Sequence, residues 1–270
     1  MPLEDHLGDI IAKARRQKGV GVELAARAAK VSPSELLRVE NTGSIKEPID
    51  FSDLAALLDL DPIKLGRIAA GWEPPRVDLS RWRELRMVTT ISGGLAVNSY
   101  VVWDPTSRKA CVFDVGFDAH PIARIVSEHE LELLWVFITH GHHDHVEALP
   151  ELLKAFPNAI CFPFSGSTPC FPKRDTLELS TLCIRPVPMP GHTDDGITYL
   201  VTGWPDDSPA VAFVGDCLFA GSMGKTSSDS SVAREAIRRH ILSLPPPTLI
   251  CPGHGPLTTV GDEKSNNPFF

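Results

Sequence analysis

Downstream of residue 86 the sequence divides into short β-rich runs closed by turn signals: MVTTI (87–91), NSYVVW (98–103), KACVFDVG (109–116), LLWVFITH (133–140), AICFPF (159–164), ITYLVTG (197–203), AVAFVGD (210–216) and TLICPGHG (248–255). Between them lie amphipathic stretches with helical spacing, PIARIVSEHE (121–130), VEALPELLKAF (146–156) and VAREAIRRHILSL (232–244). Strands this short bury their apolar faces only against helices or a second sheet. The alternation therefore predicts a layered α/β (α+β) domain.

Upstream the texture changes. Apolar residues recur at helical spacing as Leu7, Ile10, Ile11 and Ala14, then Leu24, Ala25 and Ala28, then Leu36, Leu37 and Val39, then Leu54, Leu57 and Leu58. Ser32 before Pro33, with Glu35 three residues on, is a capping-box start with proline in the first helical position. Gly71, Pro74 and Pro75 break the helical pattern. We divide the chain into a small all-helical domain (1–72), a linker (73–85) and a larger domain (86–270); 270 residues is ample for both.

The densest chemistry lies in FITHGHHDHVEALPEL, residues 137–152, with four histidines and an aspartate between His140 and His145. An apolar strand ends at His140 and a helical stretch follows, so the cluster falls on a strand-to-helix turn at a sheet edge. Imidazole and carboxylate together suit zinc, iron or manganese. His192, Asp216 and His254 extend the set, because each also lies where a β-run ends and each follows a glycine that lets the backbone turn sharply. No Ser/His/Asp or Cys/His set competes with this one.

The remaining composition narrows the setting. The six cysteines form no CxxC pair and sit mostly in apolar runs, which predicts reduced core thiols. A formal charge of −8 argues against broad attraction to nucleic acid or anionic membrane. The acidic start MPLEDHLGDI is unlike a signal peptide, and no apolar run approaches the roughly eighteen residues of a membrane span, so a cytoplasmic location is expected.

HxHxDH (His140, His142, Asp144, His145), followed by GHT at His192, GD at Asp216 and GHG at His254, resembles the metallo-β-lactamase superfamily in its glyoxalase II-like branch, over about residues 86–270. The resemblance implies a four-layer αββα sandwich with a dinuclear site at one edge. His140, His142 and His192 would hold one metal ion, Asp144, His145 and His254 a second, and Asp216 would bridge them. Two divalent ions are implied, zinc first, with iron or manganese as alternatives. Thr139 and Thr193 would orient ligands. Such a pair lowers the pKa of a shared water from about 15.7 to about 7. Hydroxide would then attack a thioester or related ester, with Asp144 as the catalytic residue that shuttles the proton. Lys225, in CLFAGSMGKTSSDSS, is the cation placed to meet a substrate carboxylate. The GKT ending of that stretch is no phosphate loop, since Phe219 stands where a glycine is required. The alternative enzyme is a mononuclear-iron persulfide dioxygenase-like protein. Lactonases of the superfamily carry a tyrosine near the metals, whereas Tyr100 and Tyr199 here lie inside β-runs.

The stretch GVELAARAAKVSPSELLRVENTGS resembles the Cro-repressor-like helix-turn-helix, over about residues 4–70. That resemblance implies DNA contacts from Arg27, Ser34 and Arg38, and it allows a homodimer. Pro33, Ser34 and Glu35 offer a groove few donors, however, and basic residues do not outnumber acidic ones in this segment. Two roles follow. The helices either shape or dimerise a hydrolase, or they bind DNA for a metabolite-sensing regulator.

Overall fold

A computed structural model of the chain describes residues 2–162, 176–226 and 230–270. Pro163 and Phe164 of the expected run AICFPF, Cys170 and residues 227–229 lie outside the described residues.

The helical segment contains α1 (Leu7–Gln17), α2 (Val22–Ala29), α3 (Pro33–Thr42), α4 (Phe51–Leu58) and α5 (Pro62–Ala69). At the start of α1 the His6 ring accepts from the Asp9 amide, and the Asp9 carboxylate accepts in return from the His6 amide. Only half of the expected capping box forms on α3. Ser32 Oγ accepts from the Glu35 amide, but the Glu35 carboxylate turns to the Arg38 guanidinium. Leu7, Ile10, Ile11, Ala14, Leu36, Val39, Leu54 and Leu58 are buried. Leu24 and Leu37 share the same sequence periodicity but are 45% and 42% exposed, because α2 packs inward through Ala25, Ala26 and Ala29 and α3 through Leu36 and Val39.

The larger region begins with β1 (Leu85–Ser92), β2 (Leu95–Trp103), β3 (Lys109–Phe113), α6 (His120–Glu128), β4 (Glu132–Phe137), α7 (His143–Val146), α8 (Leu149–Ala155) and β5 (Ile160–Phe162). These strands make one sheet in the order β1-β2-β3-β4-β5, antiparallel up to β3 and parallel from β3 to β5. There follow β6 (Leu177–Leu179), β7 (Leu182–Pro188), β8 (Ile197–Thr202), β9 (Val211–Gly215), the short pair β10 (Leu218–Phe219) and β11 (Ser222–Met223), α9 (Ser230–His240), β12 (Leu249–Pro252), β13 (Thr258–Thr259) and α10 (Val260–Asn266). The second sheet runs β13-β12-β9-β8-β7-β6, with β12 and β9 parallel.

Side-chain alternation along the strands separates three apolar clusters. Phe113, Phe137 and Tyr100 of the first sheet meet Tyr199, Phe213 and Cys251 of the second, and the Phe113 and Phe213 rings stack 3.8 Å apart. The opposite face of the first sheet, Val101, Val112 and Val136, lies under Ile122 of α6 and Leu152 of α8. The opposite face of the second, Leu200, Ala212, Val214 and Ile250, lies under Ile237 of α9. The result is an αββα sandwich, as expected.

The helical segment joins that last cluster, so Ile10, Leu54, Leu65 and Ile68 belong to the same apolar core as Leu200 and Ile250. Backbone links reinforce the seam: the Asp61 amide donates to Pro268 O at 2.8 Å, and Arg234 donates to Asp59 O at 2.8 Å. Within the expected linker, Trp82 is buried between the sheets and its indole N–H donates to Pro209 O at 2.8 Å.

Two elements depart from the sequence reading. VEALPELLKAF is split at Glu147 and Ala148, after which α8 opens with Leu149 and Pro150 in its first turn, and α7 begins earlier, inside the histidine cluster. LCIRPVP, residues 182–188, is absent from the β-runs read from the sequence and forms β7. Pro186 and Pro188 are tolerated since β6 pairs only with residues 182–184, so among the described residues the rest of β7 pairs on one side alone, with β8.

Candidate metal centre

The site is built where parallel strands end side by side. Phe113 of β3 pairs with Phe137 of β4, so Asp114 and the Thr139–His140 turn leave the sheet together. Pro252 of β12 pairs with Gly215 of β9, so Asp216 and His254 also emerge as neighbours. Chain ends that diverge over one crevice form the usual ligand-binding edge of such sheets. Backbone geometry enforces the approach. Gly215 has a φ of +52°, and a Cβ on Gly253 would lie 2.3 Å from Asp216 Oδ1.

All seven expected ligand residues converge. His140, His142, His192 and Asp216 form one group and Asp144, His145, His254 and Asp216 another, each with ligand atoms within 4.8 Å of one another. In the first, His140 Nε2 and His192 Nε2 each lie 3.0 Å from His142 Nδ1. Asp216 lies between the groups: Oδ2 is 3.6 Å from His192 Nε2 and 3.4 Å from His254 Nε2, and Oδ1 is 3.3 Å from His145 Nε2. His143, in the variable slot of the motif, points away to Glu147.

The outer ring nitrogens are held, which turns the inner ones toward the centre. His145 Nδ1 donates to Asp114 Oδ2 at 2.8 Å, His192 Nδ1 to Lys225 O at 2.8 Å, and His254 Nδ1 to Ala96 O. His140 Nδ1 faces Thr139 Oγ1 at 3.1 Å, and that hydroxyl donates to Asp114 Oδ2. Thr139 thus makes the orienting contacts expected of it. The Thr193 hydroxyl, buried and without a partner, makes none.

Several supporting residues escaped the sequence reading. Asp114 accepts from the Thr139 amide and hydroxyl and from His145, tying β3 to the cluster. The Asp195 carboxylate accepts from the Gly141 amide between His140 and His142. Asn98 and Tyr100 hold the loop before His254 by donating to Pro252 O, while Tyr199 donates to Ile138 O. Both tyrosine hydroxyls therefore secure the loops that carry the ligands.

Charge at the centre follows burial and pairing. Burial pushes His140 down to about 4 and also lowers His192. For His145 burial opposes the charged form, but Asp114 and Asp216 outweigh it and hold the pKa well above the ordinary value. The same contest leaves His254 raised to about 9. Asp216 is buried, yet the facing imidazoles of His145 and His254 hold it well below the usual carboxylate range. His145 Nε2 and Asp216 Oδ1 are nevertheless buried with no hydrogen-bond partner. Orphaned polar atoms of this kind, inside a His/Asp set in which four of the five imidazoles are held from outside, fit divalent cations.

The substrate side opens past His142, which is exposed, and His192, which is half-buried. Lys225 lies on this side; its ammonium is exposed and its carbonyl holds His192. The segment that carries it is clamped by α1, where Lys13 Nζ donates to Met223 O at 2.6 Å and also pairs with Asp5, which accepts from Ser222 Oγ. Of the residues expected to touch DNA, Arg27 and Ser34 are exposed, whereas the Arg38 guanidinium is engaged by Glu35 and Ser44 O.

Known proteins are similar to this chain in sequence and fold. Residues 92–161 match the family model described as Metallo-beta-lactamase superfamily. Hydroxyacylglutathione hydrolase GloC of Haemophilus influenzae is 30% identical over 209 residues, covering 64% of this chain and 92% of that protein. Among solved structures, the BLEG-1 B3 metallo-β-lactamase is 25% identical with a TM-score of 0.59, over 68% of this chain and 98% of that one. ETHE1 from Myxococcus xanthus is 27% identical with a TM-score of 0.58, over 68% and 83%. The chain belongs to the metallo-β-lactamase superfamily, whose members are typically hydrolases. No helix among the described residues is long and apolar enough to cross a membrane.

Proposed function

We propose that the protein is a metal-dependent hydrolase of thioesters or related esters, similar in activity to the hydroxyacylglutathione hydrolases it resembles. The observation that carries this reading is the pair of four-residue groups joined through Asp216. His140, His142 and His192 would hold one divalent ion, and Asp144, His145 and His254 the other. When bound, such ions supply Lewis acidity that activates water and polarises a carbonyl. The chain's own residues do the rest. Asp114, Lys225 O and Ala96 O fix three imidazoles so that little reorganisation accompanies reaction. Asp144, with a side chain only 16% exposed and 3.1 Å from His254 Nε2, is the carboxylate that passes a proton toward the departing sulfur. Lys225 meets an anionic part of the substrate at the open side.

In this reading the helical segment shapes the active-site edge and does not read DNA; the engaged Arg38 and the clamp on residues 222–223 support it. Full-length protein should pass through heparin at low salt without salt-dependent retention, and tight retention lost steeply with salt would restore the regulator reading. The hydrolase reading is tested with S-D-lactoylglutathione and a thiol-release assay. Turnover should vanish on chelation and return with zinc, manganese or iron. No turnover by metal-replete protein overturns the reading, and one iron per chain without hydrolysis favours the persulfide dioxygenase-like alternative.

A further inference from the structure

A groove of about 500 Å³ runs between α1 and residues 225–226, lined among others by Asp9, Lys13, Arg16, Gln17, Lys225 and Thr226. It begins at the open side of the metal centre, because Lys225 both lines it and holds His192 through its carbonyl. Its volume lies in the range of small-ligand sites. Sorting its charged groups by partner shows which sign is left over. Asp5 is bound by Lys13 and Ser222 and Glu40 by Arg15, whereas Asp9 accepts from the backbone amide of His6, whose ring nitrogen itself accepts from the Asp9 amide and brings no charge. Arg16 and Lys225 are exposed and have no ion-pair partner among the described residues. In a chain with a formal charge of −8, the groove thus presents two cations without an ion-pair partner against the single carboxylate of Asp9.

Neutral groups there are also unsatisfied. Both polar atoms of the Gln17 amide and the Thr226 hydroxyl are shut off from solvent without a hydrogen-bond partner. Leaving such groups unpaired costs free energy, and the soft terminal torsion of Gln17 lets its amide turn onto an incoming ligand. An amide donor and acceptor, a hydroxyl and two cations together complement an arm that carries both amide and carboxylate.

We propose that this groove is a substrate subsite for a carboxylate-bearing, peptide-like arm, with Arg16, Gln17 and Thr226 joining Lys225 as specificity-determining residues. The helical segment would then select substrates for the metal centre. The proposal rests on the thioesterase reading for the identity of the reacting group, but its binding test does not.

The test is calorimetric titration of the full-length protein with S-methyl-N-acetylcysteinylglycine, a thioether that cannot be hydrolysed, and with its C-terminal amide. The free acid should bind at least about tenfold more tightly than the amide, with a preference that weakens as salt rises. Arg16→Glu and Lys225→Glu, both exposed changes, should each collapse that preference. Equal binding of acid and amide, binding of neither, or an undiminished preference in both variants overturns the subsite. Paired thioester substrates with a carboxylate or an amide on the thiol side or on the acyl side then report which arm the groove takes. Preference for either acid supports the proposal, and preference for neither overturns it. If no thioester is hydrolysed but the thioether binds as stated, the thioesterase reading falls and the groove stands.

Discussion

Two of the places where the molecule buries charge treat it in opposite ways. Between α1 and α3, Arg15 and Glu40 form a two-pronged pair, Nε to Oε1 at 2.6 Å and Nη2 to Oε2 at 2.7 Å, and Arg15 donates again to Val20 O. Each charge there is answered by protein. At the strand ends, Asp216 and His145 are also buried, yet each keeps an atom with no hydrogen-bond partner among the described residues. A closed pair is a structural device that apolar residues could replace. An open cluster in which four of the five imidazoles are held from outside fits a group that the polypeptide does not supply, and that difference separates scaffold from candidate site.

The comparison can be broken most forcefully at Asp216, which belongs to both ligand groups. Asp216→Ala should abolish metal-dependent turnover, with a loss beyond the roughly 10–100-fold that removal of an outer partner costs, and His142→Ala should do the same. Full activity in either variant would sink the assignment. At the closed pair, Glu40→Gln should cost about 3–5 kcal/mol in denaturant unfolding by leaving Arg15 buried and unanswered, whereas the double change Arg15→Met, Glu40→Leu should be near neutral. Asp114→Asn should lower metal affinity or turnover by about 10–100-fold while the fold persists, as measured by metal titration and circular dichroism.

The smallest effect concerns Glu263, a fully buried carboxylate that accepts from Gly221 N, Thr258 Oγ1 and Asn267 Nδ2. Burial raises its pKa from 4.5 to about 7. The unfolded chain therefore releases this proton first as pH rises, so Glu263 should take stability away between about pH 4.5 and 7, with a flat contribution outside that window. Unfolding of Glu263→Gln across pH should lack this decline; an unchanged profile would contradict it.

The sequence exposed the site better than its supports. The candidate ligands stand out because imidazoles crowd one turn and because His192, Asp216 and His254 each follow a glycine. Asp114 gave no such signal. It is one carboxylate at the end of a β-run, and its role exists only because β3 and β4 pair in parallel register. Asp195 is silent for the same reason, since its partner Gly141 is distant in sequence. The helices of the N-terminal segment were legible from periodicity and caps, but their seating on the second sheet was not, because Ile10 and Ile68 look alike whether they face another helix or a strand. The groove beside Lys225 depends on that seating.

The most direct test of the account is the metal content of protein purified without added metal, by elemental analysis of wild type beside Asp216→Ala. Two ions sharing Asp216 predict about two divalent metals per wild-type chain and the loss of both groups' tight binding in the variant. A wild-type chain that holds none after metal loading, or a variant that still holds two tightly, would contradict the claim that the open cluster is a shared two-ion centre.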